Sequence, residues 1–346
     1  MRAGKLAPEQ LERLVLGRFQ RRRKDILVHA GIGEDCAVID FGDQVCVVST
    51  DPITGAGIGA GRLAVHVSCN DVAANGAHPV GIQVVLLLPE GADENLITRL
   101  MDEVEQACAE LDIEVLGGHT EITSKVGDPV IVTTAIGRAA KDAYVTSSGA
   151  RPGDDVVITK GVGIEGTAIL ATDWRDVIKQ AVQRLEEPPT EQELDALLNR
   201  AQGFAGEISA VRDGLLAVAY GVTAMHDVTE GGLYGALWEM SRAAQVGFVV
   251  ERDKVPVRPE TRFICDCLRI DPLGLISSGT MLITCPDGAG LATHLRAADI
   301  PAFVIGRVTK GESGLKRLDG SVTPLYPLRE DELWRFLASV GDAVAP

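Results

Sequence analysis

Asn70-Asp71-Val72-Ala73-Ala74-Asn75-Gly76-Ala77-His78-Pro79 is the stretch on which the fold reading turns. It closes a helix expected over 62–74, and Asn75-Gly76 is a suitable C-cap pair. Asp71 stands inside that helix beside Asn70, where no capping role accounts for it, while the other helix face is apolar. Downstream, residues 81–88 read as an apolar strand. Glu94–Leu111 reads as a helix, with Leu96, Leu100, Val104, Ala107 and Leu111 on one stripe. Upstream, 36–40 and 44–49 are short β-like runs separated by Phe41-Gly42-Asp43, a turn signal. A helix is expected over 8–20, and strands at 114–116 and 130–137. Two strands joined by a short turn break the strict alternation of a doubly wound sheet, so the first half reads as α+β.

Small, polar, helix-breaking residues at 146–154 mark the best domain boundary, giving domains at 1–150 and 151–346. The second half opens with a strand at 155–160 and a glycine loop at 161–166. A polar helical stretch over 174–202 is interrupted at Pro188-Pro189, with Thr190 and Glu193 in a capping-box pattern. Helices are expected at 207–220, 232–244, 288–297 and 329–340, and strands at 222–226, 247–251, 280–284 and 302–308. The whole reads as two α+β domains.

Composition narrows the function. The chain has 346 residues and a formal charge of −16, which disfavours a polyanionic nucleic-acid partner. Arg21-Arg22-Arg23-Lys24 is its dense basic run and reads as a solvated helix end. No stretch approaches the roughly 18 apolar residues of a membrane span. The N-terminus leads into a charged amphipathic segment, not a signal-peptide core. The 7 cysteines form no Cys-x-x-Cys pair, which fits buried thiols in a reducing cytoplasm. Glycine is abundant, 38 residues scattered among apolar runs, which implies many sharp turns or close backbone approaches.

Short motifs gather at strand–loop–helix junctions. Gly31-Ile32-Gly33-Glu34-Asp35-Cys36-Ala37 precedes a strand, and Ser49-Thr50-Asp51-Pro52 follows one. Ser68-Cys69-Asn70-Asp71 lies in the helix. Gly117-Gly118-His119-Thr120-Glu121 follows a strand. Carboxylates at several strand ends can converge on one hard cation, and magnesium takes one or two carboxylates together with substrate phosphates. The alternative for each Asp is a turn or a cap. In the second half, Gly161, Gly163 and Gly166 have the G-x-G-x-x-G spacing, read as close backbone approach to a phosphate more than as a nicotinamide site. His226-Asp227-Val228-Thr229-Glu230-Gly231-Gly232 joins a strand to a helix whose N-terminus favours an anion, with Thr229 capping as the equal alternative. A soft-metal site from His66 and Cys69 lacks a second ligand pair. No G-x-S-x-G elbow occurs.

In this order, Glu34–Ala37, Ser49–Asp51, Asn70–Pro79, Gly117–Thr120 and Asp227–Gly232 resemble the aminoimidazole-ribonucleotide (AIR) synthetase superfamily. The resemblance runs from about residue 8 to 340. Asp271–Thr280 is similar to the hydrogenase maturation factor of the HypE type. It implies a two-domain AIR-synthase-like fold. The N-terminal sheets would form a dimeric β-barrel and the C-terminal domain an α/β sandwich, with ATP in a cleft at the homodimer interface. It implies that Asp35, Asp51 and Asp71 hold Mg2+ and phosphates, with Asn70 beside them. Gly117, Gly118, Thr120 and Glu121 would lie over the triphosphate. Gly161 and Gly163 would approach phosphate, and Asp227, Gly231 and Gly232 would face the γ-phosphate. The implied chemistry is ATP-dependent phosphoryl transfer to an oxygen-bearing acceptor, small or protein-borne, with positioning and charge neutralisation carrying most of the catalysis.

Two departures stand out. His119 occupies a position where the family usually has a carboxylate, and imidazole is a poor magnesium ligand. Either Glu121 replaces the carboxylate, or His119 meets phosphate or moves a proton. The sequence also ends at Pro346 without the C-terminal cysteine of the hydrogenase maturation type, so thiocyanate formation on its own tail is not expected. The leading expectation is therefore a cytoplasmic, HypE-related enzyme with Asp51, Asp71 and His119 catalytic. The alternatives are a nucleotide-binding assembly or regulatory protein, or a kinase of the thiamine-monophosphate type.

Overall fold

The structure, a computed structural model, describes residues 5–54, 59–326 and 330–344. The first half runs α1 (Pro8–Leu14), β1 (Ile26–Val28), β2 (Ala37–Asp40), β3 (Gln44–Ile53), α2 (Ala60–Ala74), β4 (His78–Leu88), α3 (Glu94–Leu111), β5 (Glu114–Ile122) and β6 (Val130–Ala140). Its six strands are ordered β1-β2-β3-β6-β4-β5. Pairing is antiparallel except between β4 and β5, which α3 connects as a parallel crossover. The turn at 41–43 joins β2 to β3 as expected.

Alternation along the strands sets the core. Val45, Val47, Ile82, Val84, Leu86 and Ile131 point to the face covered by α2 and α3. The opposite face carries Val48, Val85, Leu87, Val132 and Ile136, which are half-buried, and among the described residues no helix packs over it. Every residue of β5, at the sheet edge, is exposed. Asp93 caps α3 by accepting from the Leu96 N–H at 2.8 Å. Helix α2 has no local N-cap; Glu103 of α3 accepts from the N–H groups of Gly59 and Gly61 instead. Buried on nearly every side, α2 packs on β3 and β6, on α3, and at its C-terminal end on the second half.

The second half runs β7 (Asp155–Thr159), α4 (Ile164–Asp173), α5 (Arg175–Val182), α6 (Glu191–Gln202), α7 (Val211–Tyr220), β8 (Ala224–Val228) and α8 (Gly232–Ala244). It continues β9 (Gly247–Glu251), α9 (Pro259–Leu268), β10 (Thr280–Cys285), α10 (Gly288–Arg296), β11 (Ala302–Thr309), β12 (Gly314–Lys316), β13 (Val322–Pro324) and α11 (Glu332–Val344). The seven-stranded sheet has the order β13-β12-β9-β11-β7-β10-β8. Helix α8 covers one face through Leu233, Leu237 and Met240. Helices α7 and α10 cover the other, around Met225, Met281, Leu291 and Leu295. The sheet is thus sandwiched, which is why its central strands β7 and β10 are buried on both faces instead of alternating. Trp174 and Phe336 meet edge to face at 5.8 Å where α11 docks among α5, α6 and α9.

Several expected boundaries shift. The helix read over 8–20 stops at Leu14, followed by a short 3-10 turn at Leu16–Arg18. The helix read from 207 begins at Val211, after a 3-10 turn at Gly203–Glu207. The strand read as 222–226 is Ala224–Val228, so His226 and Asp227 lie within it. The strand read as 114–116 runs on to Ile122, because parallel pairing with β4 carries it through the glycines. The last helix, expected over 329–340, spans Glu332–Val344; residue 329 lies outside the described residues. Among the described residues no helix is long and apolar enough to cross a membrane.

Candidate functional site

Four segments bring carboxylates together. Asp35 ends the loop before β2, Asp51 lies on β3, Asp71 on α2 and Asp227 on β8. Gly33 shapes the first loop: its φ is +77°, and a Cβ there would fall 2.5 Å from the Glu239 carbonyl of α8. Ser49 Oγ donates to Asp71 Oδ2 at 2.5 Å and lies 3.4 Å from Asp51 Oδ2. Burial raises the Asp71 carboxyl well above its ordinary value, and the charges of Asp227, Asp51 and Asp35 add to it. Burial likewise lifts Asp227 to about 6, against the pull of His226. Among the described residues Asp227 Oδ2 is buried with no N–H or hydroxyl donor, and its neighbour is the Asp71 carboxyl. Asp35 is raised too, by desolvation first and by Glu239, although solvent still reaches 43% of its side chain and screens the effect. The cluster is therefore a crowded set of oxygen donors, which suits a hard divalent cation.

His226 stands behind this cluster. Its Nε2 meets Glu239 at 3.0 Å, and its Nδ1 lies 3.2 Å from Ser147 Oγ and 3.5 Å from Asp35. Burial opposes its protonation, but the Glu239 hydrogen bond and the charges of Asp35, Glu239 and Asp227 outweigh it, and the imidazole is raised to about 9. Lys5 is also in range. Crowding by protein atoms opposes its charge, but the residue is exposed, and Glu239, Asp35, Glu230 and Asp71 hold its ammonium above its ordinary value. Glu34 accepts from the N–H groups of Ser147 and Ser148, clasping the first loop to the segment between the sheets. The Cys36 thiol is pushed well above its ordinary value by burial, then by Asp71 and Asp35, which leaves it inert.

The remaining expected site residues lie elsewhere or have other partners. Asn70 donates to the Ile208 carbonyl at 2.8 Å and accepts from the Ala210 N–H at 2.6 Å, so both ends of its amide are engaged by backbone. Gly161 approaches the Pro256 carbonyl, and Gly163 packs on Thr261 and Leu275, so interior packing accounts for both glycines. Gly231 and Gly232 open α8 with φ of 90° and 57°. The Gly231 N–H donates to Asp331 Oδ2 at 2.6 Å, so a carboxylate of this chain already sits at that helix N-terminus. Asp331 also accepts from Leu333 N–H, and burial raises it to about 6.

Gly117, Gly118, His119, Thr120 and Glu121 lie inside β5, not in a loop after a strand. A Cβ on Gly118 would run into the Val84 carbonyl, so the close β4–β5 approach requires glycine there. Asp51 pairs with Thr133, Thr133 with Val84 and Val84 with Gly118. Three strand spacings put Gly118 roughly 14 Å from Asp51 across the sheet. His119 Nε2 lies 3.4 Å from Glu121, and among the described residues neither bonds to the Asp cluster.

Sequence reasoning passed over Ser49, His226 and Glu239 at the cluster and Asp331 at the N-terminus of α8. The first two were in quoted motifs. Glu239 carried the faint signal of an acid on an otherwise apolar helix. Nothing local marks Asp331.

Comparison with known proteins agrees with this geometry. Residues 33–139 match the AIR synthase related protein N-terminal domain, and 151–316 match its C-terminal domain. A putative hydrogenase expression/formation protein of Methanocaldococcus jannaschii is 28% identical over 305 residues, covering 83% of this chain and 84% of that one. Carbamoyl dehydratase HypE of Rhodobacter capsulatus is 26% identical over 298 residues, covering 84% and 82%. The crystal structure of a hydrogenase maturation protein HypE in complex with ATP superposes with a TM-score of 0.66 at 23% identity, covering 96% of this chain and 97% of that one. Both halves match in order, the two sheets have the corresponding architecture, and the chain belongs to the AIR synthase related family.

Proposed function

We propose that this chain is an ATP-dependent enzyme of the HypE-like kind, which activates an oxygen-bearing acceptor by phosphoryl transfer with Mg2+. The observation that carries the reading is the convergence of Asp35, Asp51, Asp71 and Asp227 from four separate segments, with Asp227 Oδ2 buried and, among the described residues, met by no N–H or hydroxyl donor. Such a set repels itself until a cation arrives. Asp35, Asp51 and Asp71 would hold the metal and phosphates, and Asp227 would face the transferred group. Bound Mg2+ supplies charge neutralisation of the triphosphate. The chain's own residues hold the geometry: Ser49 orients Asp71, Asn70 fixes the helix that carries it, and Glu34 and Gly33 fix the loop that carries Asp35. Gly161 and Gly163 act through packing in this reading, and Gly231 and Gly232 through the approach of α8.

The chain works as a homodimer in the cytoplasm, its domains divided near 150/151. The uncovered face of the six-stranded sheet and the bare β5 edge support the dimer. Closure of two such sheets would let the Gly117–Glu121 segment of one protomer serve the cluster of the other, with His119 and Glu121 reaching phosphate or acceptor. Titration calorimetry of ATP with Mg2+ is the test. Binding should require Mg2+ and be lost in Asp71→Ala with the far-ultraviolet spectrum unchanged. Equal affinity without Mg2+, or in Asp71→Ala, would overturn the reading.

A further inference from the structure

Lys160, the residue after β7, has a left-handed backbone with φ of 57°, where glycine is the ordinary choice. A lysine at such a position turns the question to its side chain. That side chain is only 11% exposed. Its Nζ donates to the Ser209 carbonyl at 2.6 Å and to the Gly279 carbonyl at 2.8 Å. It also lies 3.1 Å from Asp213 Oδ2, which has no other donor among the described residues. Three protons thus face three oxygens, and the ammonium is fully engaged. We infer that Lys160 is a positioning residue for Asp71, acting through the Ser209–Ala210 peptide and Asn70, an inference that rests on the proposed nucleotide site.

The path is short and made of bonds. The Ser209 C=O and the Ala210 N–H belong to one planar peptide group. Lys160 holds the oxygen of that group, and its N–H donates to Asn70 Oδ1 at 2.6 Å. A cation on the carbonyl draws electron density through the peptide and makes the N–H a stronger donor. Asn70 Nδ2 completes the grip on the Ile208 carbonyl at 2.8 Å. Asn70 immediately precedes Asp71 on α2, so the orientation of this peptide bears on the turn that presents the carboxylate. Beside Asp213, α7 lies against the same turn: a Cβ on Gly214 would fall 2.5 Å from the Ala73 carbonyl. The bond to Gly279 ties Lys160 to the loop before β10, within the second half. The bond to Ser209 is the one that leads across to α2.

The test uses the full-length protein, titrated with Mg2+–ATP by calorimetry and followed by NMR. In Lys160→Met, without nucleotide, the Ala210 amide proton should move upfield as its bond to Asn70 weakens. Affinity for Mg2+–ATP should fall roughly tenfold, the scale of one charge-assisted hydrogen bond, with the far-ultraviolet spectrum kept. Lys160→Gly suits the left-handed backbone and should show the same loss. A clasp that only holds the chain together would lower stability and leave both readouts in place. Either variant folded with unchanged affinity therefore overturns the inference. In the unaltered protein, Mg2+–ATP should shift the Ala210 amide and the Lys160 Nζ resonances, since coupling between two sites is reciprocal. Binding without those shifts overturns the inference even if neither variant folds. An unaltered protein that binds no Mg2+–ATP overturns the proposed function itself, which is a separate result.

Discussion

Glu165 and Asp331 show what burial does to a single carboxyl. Glu165 is 6% exposed and accepts a hydrogen bond from Ser278 N–H at 3.3 Å. Burial lifts it from 4.5 to about 7, against that bond. For an acid raised in the folded state, the ionised form is the one disfavoured by folding. Its penalty is absent below the unfolded value near 4.5, grows as pH rises and is complete above about 7. Glu165→Gln should therefore match the unaltered protein near pH 4.5 and be more stable by about 1–3 kcal/mol at pH 8. Urea unfolding at the two pH values checks this; the same difference at both would refute it. Single residues were also where the sequence was most informative. Asp71 could be picked out because an uncapped acid inside a helix has no local reason to be there. Glu165 could not, because its meaning depends on a loop 113 residues away.

Elements were legible where their patterning is local. The stripe of α3 and its limits follow from periodicity and the Asp93 cap. β5 was cut short because glycine argues against a strand, whereas here the glycine lets two backbones approach. The N-terminus of α8 suits either an anion or a Thr229 cap by sequence, and the group found there is the Asp331 carboxylate, 100 residues downstream. That carboxylate holds α8 at Gly231 and α11 at Leu333 together, with O···N distances of 2.6 and 2.7 Å. Asp331→Ala should cost about 1–2 kcal/mol, the usual loss for a cap. It should also speed amide exchange at both Gly231 and Leu333. Unchanged exchange at either amide would show that the carboxylate does not hold that helix. The site as a constellation was half legible: the aspartates stand in motifs, while His226 and Glu239 become partners only once β8 and α8 are packed.

At the scale of the whole molecule, the uncovered sheet face is the feature a single chain leaves unresolved. Val48, Val85, Leu87, Val132 and Ile136 form a patch that a second sheet would cover. Val132→Glu places a charge in its middle. It should convert a dimer to a monomer at micromolar concentration by sedimentation velocity, with the far-ultraviolet spectrum kept. A monomeric unaltered protein would refute this arrangement. The clip made by Asn70 has a different consequence, one of timing. Its backbone partners, Ile208 and Ala210, follow it by 138 and 140 residues. At a synthesis rate of about 5–20 residues per second, they leave the ribosome roughly 7–28 s after it. For that interval the helix bearing Asp71 lacks its last clamp, and the nascent first half is long-lived, incompletely packed and a natural client for a chaperone.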